Sequence, residues 1–302
     1  MTIDSRFFNN ESDLARLVEF LGAANRDASS YWHPGDLIWA LYQKTTFDPR
    51  KSIRLWEGED GELFGFTIHE ASNLVMAFVH PRLRGQGVVE GPMFAWATAH
   101  TRALLEQKGD PEPSIWTKAL NGDAARREFL GQLGMARDDY HYLHMSRELI
   151  DPPPAPALPA GFTVRHVADE SEYEARVDLH REVWHPSKVT LAAYRGLRAA
   201  PIYRPDLDLV AVAEAGTLAA YCIAWFDPIS RTGEFEPVGT RPAFQGRGLG
   251  KAVIFEGLRR LRDLGATSAI VYSVGDNEAS RRLYESVGFQ VIDQEHLYGK
   301  DL

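Results

Sequence analysis

The chain has 302 residues, a length that favours two compact domains over one. Hydrophobic residues make up 44% of it and charged residues 25%, which excludes a disordered or fibrous protein. The formal net charge of -9 disfavours general binding to nucleic acid or anionic membranes, and it favours cationic small molecules as partners.

The start of the chain predicts neither secretion nor a membrane anchor. The segment MTIDSRFFNNESDL has no basic cluster followed by an apolar run, and no stretch reaches the roughly 20 apolar residues of a transmembrane helix. We therefore expect a cytoplasmic protein. Because Cys222 is the only cysteine, the sequence also excludes an internal disulfide and a cysteine metal cluster.

The first half of the chain contains features that the second half repeats in the same order. The repeated pairs are Tyr31–Pro34 with Val183–Pro186, a hairpin at 53–63 with one at 209–218, His80–Gly87 with Arg241–Gly248, and Gly134–Met135 with Gly288–Phe289. Four such pairs in one order predict the duplication of a domain of roughly 140 residues. Each copy combines helices, a hairpin, a glycine turn, a long helix and further strands, which is typical of a mixed α/β domain.

Prolines mark the junction between the two copies. Residues 151–159 read DPPPAPALP, which is too rich in proline for a helix or a central strand and predicts a stiff, extended linker. The predicted domains are therefore residues 1–150 and 160–302.

A glycine turn follows a predicted strand in the second half. Residues 234–240 are strand-like and end before Arg241-Pro242, where the proline lacks an N–H group. The segment Gln245–Lys251 reads QGRGLGK, and the residues after it have the apolar spacing of a helix that Gly265 can end. Glycines let backbone N–H groups approach an anion, and the start of a helix adds a positive partial charge. The turn therefore predicts a phosphate or pyrophosphate ligand.

Two other nucleotide-binding motifs do not fit this turn. The dinucleotide fingerprint needs GxGxxG after the first strand of its domain, whereas this turn has GxGxG after several strands. A P-loop needs GxxxxGK followed by Ser or Thr, whereas Gln245 occupies the first glycine position and Ala252 follows Lys251.

Downstream residues complete a recognisable pattern. Residues 270–274 are strand-like, and residues 277–289 predict a capped helix that ends at a glycine. The Gln-x-x-Gly-x-Gly turn, followed by Asn277, an alanine, Tyr284 and Gly288-Phe289 at these spacings, resembles the GNAT superfamily of N-acetyltransferases.

The resemblance implies a fold and a cofactor site. It implies two tandem GNAT-like domains of mixed α/β class, each with a central mixed, splayed β-sheet flanked by helices. Acetyl-CoA would be the co-substrate, its pantetheine arm would lie in the gap of the sheet, and no metal is expected. The residues that the resemblance assigns to the cofactor are Val238, Gly239, Thr240, Gln245, Gly246, Arg247, Gly248, Leu249, Gly250, Lys251, Asn277 and Tyr284.

The resemblance also implies catalytic groups. Tyr284 would be the general acid to the departing thiolate, although a packing role on the sheet is its ordinary interpretation. Because a protonated amine cannot attack a thioester, a base or a water relay must first remove a proton. Strand alternation should place Glu234 and Glu236 on the face of Val238. Glu236 is the preferred base because it is nearer the reaction centre, whereas Glu234 stands where some family members carry theirs.

In this family the acceptor pocket is usually formed by the first helices and the strand loops. The aromatic side chains in that part of the second copy are Trp184, His185, Tyr203, Tyr221 and Trp225, and they could equally belong to the core. Cys222 lies in an apolar run, which predicts an inert buried thiol and not a nucleophile.

The first copy lacks the corresponding chemical groups. Val75 aligns with Glu236, Val89 with Gly250, Asp123 with Asn277 and Leu130 with Tyr284. A valine crowds the turn and an aspartate repels anions, although residues 84–87 could still admit a phosphate weakly. We therefore expect residues 1–150 to be a degenerate, non-catalytic domain.

The leading hypothesis is an N-acetyltransferase that joins acetyl-CoA and a primary amine of a small molecule in a ternary complex. A non-catalytic acyl-CoA-binding or sensing protein of the same fold is the alternative, but Tyr284 and the two glutamates argue against it. A scaffold for assembly is a third hypothesis, and the intact glycine turn argues against that. We expect no nucleic-acid or membrane partner, and a monomer or a homodimer.

Overall fold

The computed structural model describes residues 2–27, 31–110 and 112–302. The helices are α1 (Glu11–Asp27), α2 (Pro34–Tyr42), α3 (Pro49–Ser52), α4 (Glu90–Lys108), α5 (Ala124–Gln132), α6 (Tyr173–Val183), α7 (Leu191–Arg198), α8 (Leu249–Asp263) and α9 (Glu278–Ser286). The strands are β1 (Asp4–Phe7), β2 (Ile53–Glu57), β3 (Leu63–His69), β4 (Val75–Val79), β5 (Ser114–Leu120), β6 (Ala136–Glu148), β7 (Phe162–His166), β8 (Asp208–Ala213), β9 (Leu218–Asp227), β10 (Thr232–Thr240), β11 (Ser268–Val274) and β12 (Gln290–Asp301). The predicted mixed α/β class is confirmed.

The chain divides into two compact units that do not coincide with the halves of the sequence. Unit 1 comprises Met1–Tyr31, Asp48–His144 and Asp293–Leu302, and unit 2 comprises Trp32–Phe47 and Met145–Ile292. Helix α2 therefore belongs to the unit that contains most of the second half. The proline-rich segment 151–159 contains neither helix nor strand. The boundaries 1–150 and 160–302 stay a prediction about the duplicated sequence.

Unit 1 has a splayed sheet. Strands β1, β2, β3 and β4 pair in that order and are antiparallel, and β5 pairs antiparallel with the end of β12. Between β4 and β5 the only pairing among the described residues is the bridge from Leu74 to Trp116. Helix α4 buries Met93, Phe94 and Ala97 in the core of this unit.

Unit 2 has the sheet order β11, β10, β9, β8, β7. Strand β11 is parallel to β10, and the other pairs are antiparallel. Helix α8 packs on one face, where a Cβ at Gly257 would collide with the Phe235 ring, and α2 packs on the other, where a Cβ at Gly35 would collide with Trp225. Both glycines therefore allow a helix to approach the sheet closely.

The repeated segments have matching backbone geometry in the two units. Helices α5 and α9 each have 9 residues, and their N-caps, Asp123 and Asn277, have φ of -87° and -85° and an identical ψ of 78°. Both caps accept a hydrogen bond from the backbone N–H three residues later, which satisfies one of the free donors at a helix start. This agreement supports the predicted duplication.

Neither a membrane-spanning helix nor a cluster of metal ligands occurs among the described residues. None of the described helices is long and apolar enough to cross a membrane. Within the same residues, no group of three or more His, Cys, Asp or Glu side chains is arranged to hold a metal ion.

Candidate active site

The glycine turn joins the end of β10 to the start of α8. Gly246 and Gly248 have φ of +74° and +78°, and α8 begins at Leu249. A Cβ at either glycine would meet nothing within 4 Å, so the left-handed backbone, and not crowding, selects glycine there. The first N–H groups of α8 have no preceding helical turn to bond to. They are therefore available to an anion at this exposed turn.

Two cationic side chains lie on the turn and on the first turn of α8. The Arg247 guanidinium is 5.4 Å from the centre of the Phe244 ring, and the Lys251 ammonium is 5.6 Å from that of Phe255. Contacts of this kind keep the aliphatic stems against apolar surface while the charged ends face solvent. The turn thus offers backbone donors and positive charge together.

The start of α8 packs closely on the end of β10. A Cβ at Gly250 would lie 3.1 Å from Thr240 Oγ1 and 3.5 Å from Leu283 Cδ2, so a larger side chain would push the helix away. The Gln245 amide donates to the Thr240 carbonyl at 3.3 Å and holds the turn to the strand. Glycine and glutamine therefore set the position of the anion-binding donors relative to β10.

Beyond the turn, strands β10 and β11 part. They pair only from Thr232 to Glu234 on β10, opposite Ser268 to Ile270 on β11. Residues 238–240 remain paired to β9 on their other side. One edge of β10 therefore faces a gap in which an extended ligand can bond to the strand as an added strand would.

A β-bulge interrupts β10 between the two glutamates and Val238. Phe235 pairs with Ala224, but Val238 pairs with Cys222, so β10 contains one residue more than β9 over this interval. An extra residue reverses the alternation of side chains between the faces. The prediction that Glu234 and Val238 share a face was therefore wrong, because it assumed a regular ladder through Pro237.

Glu234 lies in a buried acidic cluster under α2. Its side chain is 1% exposed, Oε2 lies 3.3 Å from His33 Nδ1, and the carboxyl is hydrogen-bonded to Asp36. His33 Nδ1 already accepts a hydrogen bond from Gly35 N, so the imidazole offers Glu234 no proton in this tautomer. Burial raises the pKa of Glu234 to about 8, and burial together with the Glu234 charge raises the pKa of Asp36. The two carboxyls therefore retain a proton at neutral pH.

We expect Glu234→Gln to reduce the pH dependence of folding stability, because it removes one of the two buried carboxyls whose pKa is raised. The folded chain keeps a proton that the unfolded chain releases near pH 4.5, so wild-type stability should fall as the pH rises from about 4.5 to about 8. The isosteric amide carries no titrating proton. At pH 8.5 the variant should gain about 4–5 kcal/mol over the wild type, because a rise of the pKa from 4.5 to about 8 is worth about 1.4 kcal/mol per pKa unit. Urea unfolding at pH 5 and 8.5 measures the effect, and equal pH slopes for the two proteins would contradict it.

Glu236, in contrast, lines an open cleft of about 570 Å³ in unit 2. The cleft combines two indoles, two lysines and several hydrogen-bonding side chains. Its lining residues are Trp39, Gln43, Lys44, Thr46, His180, Trp184, Pro186, Ser187, Lys188, Val189, Glu236 and Pro237. A polar small molecule with an apolar surface fits this lining.

Trp184 is held in place by a buried pair. Its indole N–H donates to Tyr221 Oη at 2.8 Å, and that oxygen lies 2.7 Å from His180 Nδ1. Burial lowers the pKa of His180 to about 3, so the neutral ring can accept the tyrosine proton. The Arg176 guanidinium stacks 3.6 Å from the centre of the Tyr221 ring. Trp184 itself is half-exposed at the cleft.

The other aromatic candidates lie outside the lining of the cleft. Trp225 is buried, and its indole N–H donates to the Glu236 carbonyl at 2.7 Å, which fixes the backbone that carries the carboxylate. Tyr203 is buried and donates to Asp208 at 2.8 Å. His185 is exposed and does not line the cleft. The contact of Tyr221, Trp225 and His185 with a substrate stays a prediction, and the first two are placed to act through their neighbours.

Helix α9 carries Asn277 and Tyr284. Asn277 Oδ1 accepts from Ser280 N at 3.0 Å, so its amide NH₂ is the group left for a ligand. Tyr284 is 6% exposed, and burial raises its pKa, with a further rise from the negative charge of Glu236. The Tyr284 hydroxyl therefore keeps its proton at neutral pH.

Residues 32–47 contribute a part of the site that the sequence did not predict. Asp36 and His33 contact Glu234, and Trp39 lines the cleft with its ring 5.5 Å from that of His180. These residues were assigned to the degenerate copy because they precede the linker. A Trp-His-Pro sequence in both copies was the only signal, and it marks a repeated helix start without showing which unit the helix joins.

Comparison with known proteins identifies relatives that span most of the chain. Residues 170–289 match the acetyltransferase (GNAT) family. A mycothiol acetyltransferase of Streptomyces scabiei is 31% identical over 265 residues, which cover 83% of this chain and 80% of that protein. Another, of Propionibacterium freudenreichii subsp. shermanii, is 30% identical over 246 residues, which cover 78% of this chain and 74% of that protein.

Solved structures share the fold. A GCN5-related N-acetyltransferase from Sphaerobacter thermophilus superposes with a TM-score of 0.69 at 19% identity, covering 99% of this chain and 95% of that one. A tandem GNAT protein from the clavulanic acid biosynthesis pathway has a TM-score of 0.67 at 16% identity, covering 99% and 98%. The expectation of two tandem, splayed domains is thereby confirmed.

Proposed function

The chain belongs to the GNAT family of acetyltransferases, and on this premise we propose that it transfers an acetyl group from acetyl-CoA to the primary amine of a small molecule. The observation that carries the proposal is the position of Glu236. Glu236 lines an open cleft and lies on β10. The end of that strand leads into the unobstructed, positively charged glycine turn. An acceptor site and a cofactor site thus meet at β10.

Three groups of the chain would bind acetyl-CoA. The N–H groups of the turn, with Arg247 and Lys251, would bind the pyrophosphate. The free edge of β10 at residues 238–240 would bond to the pantetheine arm, and the Asn277 amide would contact that arm from α9. The thioester would then lie at the gap between β10 and β11.

The residues present can carry out each proton transfer of the reaction. Glu236 takes a proton from the acceptor ammonium, and the freed amine attacks the thioester carbonyl. A main-chain N–H at the end of β10 stabilises the negative oxygen that forms. When the C–S bond breaks, Tyr284 donates its proton to the thiolate. The nitrogen, which gained a bond to carbon in the attack, releases its second proton to solvent, and Tyr284 regains one proton from solvent. The products are an amide, CoA and a proton released by Glu236.

We further propose that the acceptor is a mycothiol-related amine. The support is the set of relatives at 30–31% identity that are named mycothiol acetyltransferases. Two indoles beside amide and hydroxyl side chains suit a polar acceptor. The indole faces can pack on its apolar surfaces, and the polar side chains can bond to its hydroxyl groups.

Calorimetry with acetyl-CoA tests the cofactor site. The wild type should bind one equivalent, and Gly248→Trp should weaken binding by at least about 30-fold, because an indole on the turn blocks the donors to a charged ligand. Gly216→Trp is a matched control, since Gly216 also has a positive φ, of +83°, and open space around it, but lies in the β8–β9 hairpin. No binding to the wild type would refute the acetyltransferase proposal.

Turnover tests the acceptor. Mycothiol precursors and a panel of simple amines are incubated with acetyl-CoA, and acetylated products are detected by mass spectrometry, since thiol reagents would also react with a thiol-bearing acceptor. Acetylation of a mycothiol precursor well above the simple amines supports the proposal. Preference for an unrelated amine refutes the acceptor but not the reaction, and binding without turnover of any amine favours the non-catalytic alternative.

A further inference from the structure

The first copy preserves the shape of the glycine turn. Gly85 and Gly87 have φ of +73° and +74°, which match the values of Gly246 and Gly248. A short 3₁₀ turn precedes the glycines in both copies. The residue on α4 that aligns with Lys251, however, is Glu90, so the charge at the start of the helix is reversed.

Glu90 occupies the turn with its own carboxylate. Glu90 Oε1 accepts a hydrogen bond from Gly85 N at 2.7 Å, and the side chain is 7% exposed. Its second oxygen is buried and has no hydrogen-bond partner among the described residues. Gly85 aligns with Gly246, so this carboxylate oxygen lies where the turn of the second copy would bind a phosphate oxygen.

Arg126 fills the gap between the splayed strands of unit 1. Its guanidinium donates to the Ala77 carbonyl on β4 at 2.8 Å, and to the Lys118 carbonyl at 2.8 Å and Thr117 Oγ1 at 3.2 Å on β5. Ala77 aligns with Val238, whose main chain is the proposed partner of the pantetheine arm. Arg126 thus occupies hydrogen-bonding groups on both strands that border the gap in which a cofactor arm would lie.

The space that remains is too small for a cofactor. The cavity beside these side chains has a volume of about 30 Å³, which is room for a water molecule. Tyr31 closes it from another side, since its hydroxyl donates to Asp123 at 2.7 Å and its ring lies 4.6 Å from the Arg126 guanidinium.

We propose that the first copy has an internally occupied cofactor site, in which Glu90 stands for a phosphate and Arg126 for the pantetheine arm. The Gly85 N–H and the strand carbonyls of Ala77 and Lys118 are hydrogen-bonded to side chains of the chain itself. Unit 1 therefore binds no acyl-CoA. The inference rests on the proposed function only in taking CoA as the ligand of the second copy. It makes Glu90 and Arg126 the residues that decide the number of cofactors per chain.

The test uses the full chain with the second site blocked by Gly248→Trp and CoA as the probe. In this background the first copy should give no binding heat. Adding Glu90→Lys and Arg126→Ala should restore one equivalent of CoA binding, at least about 10-fold tighter than the detection limit of the calorimeter, because the competing carboxylate and guanidinium are gone. Glu106→Lys, an exposed change on the same helix, should restore nothing. Thermal melting confirms that each variant is folded, and Glu90→Gln with Arg126→Gln is the milder pair if the first does not fold.

The reciprocal change tests the same idea in the second copy. Lys251→Glu should place a carboxylate within reach of Gly246 N, as Glu90 reaches Gly85 N. It should weaken CoA binding by about 100-fold, whereas Lys251→Gln, which only removes the charge, should weaken it about 10-fold. Any of four results would overturn the proposal. The first two are binding of two equivalents of CoA by the wild type and CoA binding that survives Gly248→Trp alone. The other two are no CoA binding after both Glu90 and Arg126 are replaced, and equal losses of affinity for Lys251→Glu and Lys251→Gln. No CoA binding by the wild type at all would instead refute the proposed function.

Discussion

Replacing Glu236 with glutamine should lower kcat by about 1000-fold while the Kd for acetyl-CoA changes by less than about 3-fold, since loss of a general base costs about 100- to 10,000-fold. The carboxylate lines the acceptor cleft, and Trp225 holds its backbone carbonyl at 2.7 Å. The amide keeps the shape of the side chain but cannot accept the proton of the acceptor ammonium. Steady-state kinetics with the acceptor identified by turnover measure the loss.

Glu234→Gln is the matched control for this variant. It makes the same chemical change two residues earlier on the same strand, in a side chain that is buried and bonded to Asp36. Its kcat should stay within about 3-fold of the wild type, because it touches no cleft. A large loss in Glu234→Gln with little loss in Glu236→Gln would assign the base to the buried cluster and contradict the site described above.

Tyr284→Phe should lower kcat by about 100-fold, which is the low end of the usual contribution of a general acid. The KM for acetyl-CoA should change little. Phenylalanine keeps the ring that packs 5.9 Å from Phe289, but it cannot protonate the departing thiolate. A fall in kcat at an unchanged KM separates this role from cofactor binding, which would change the KM. Thermal unfolding separates it from packing, since the melting temperature should change by only a few degrees.

Tyr298→Phe is the control for the tyrosine. Tyr298 is likewise buried, in the core of unit 1, and no proposed chemistry involves it. Its kcat should match the wild type. If Tyr284→Phe also retained full kcat, Tyr284 would be a packing residue, which is the ordinary interpretation of a tyrosine on a helix against a sheet.

Local features of the second copy followed from the sequence. The glycine turn, the start of α8, the cap of α9 and the glycine that ends it depend on backbone preferences within a few residues, and the spacing of those residue types already expresses them. The splayed sheet entered through the resemblance to the family, because no local preference requires two strands to part.

The bulge in β10 shows where local inference failed. Two-residue alternation assumes an uninterrupted ladder, and Pro237 in the middle of the strand was a signal against that assumption. Only pairing with β9 shows where the extra residue is accommodated. The consequence is chemical, since Glu234 is buried beneath α2 whereas Glu236 lines the cleft.

The sequence by itself determined the class of fold, the duplication and the glycine turn before α8, because each follows from short patterns of glycine, proline and apolar residues. The tertiary structure alone decided that residues 32–47 join unit 2, that Glu236 and not Glu234 reaches the cleft, and that Glu90 and Arg126 fill the site of the first copy. These outcomes depend on contacts between residues far apart in the chain. Such contacts are selected by packing and burial over the whole unit, which no local spacing expresses.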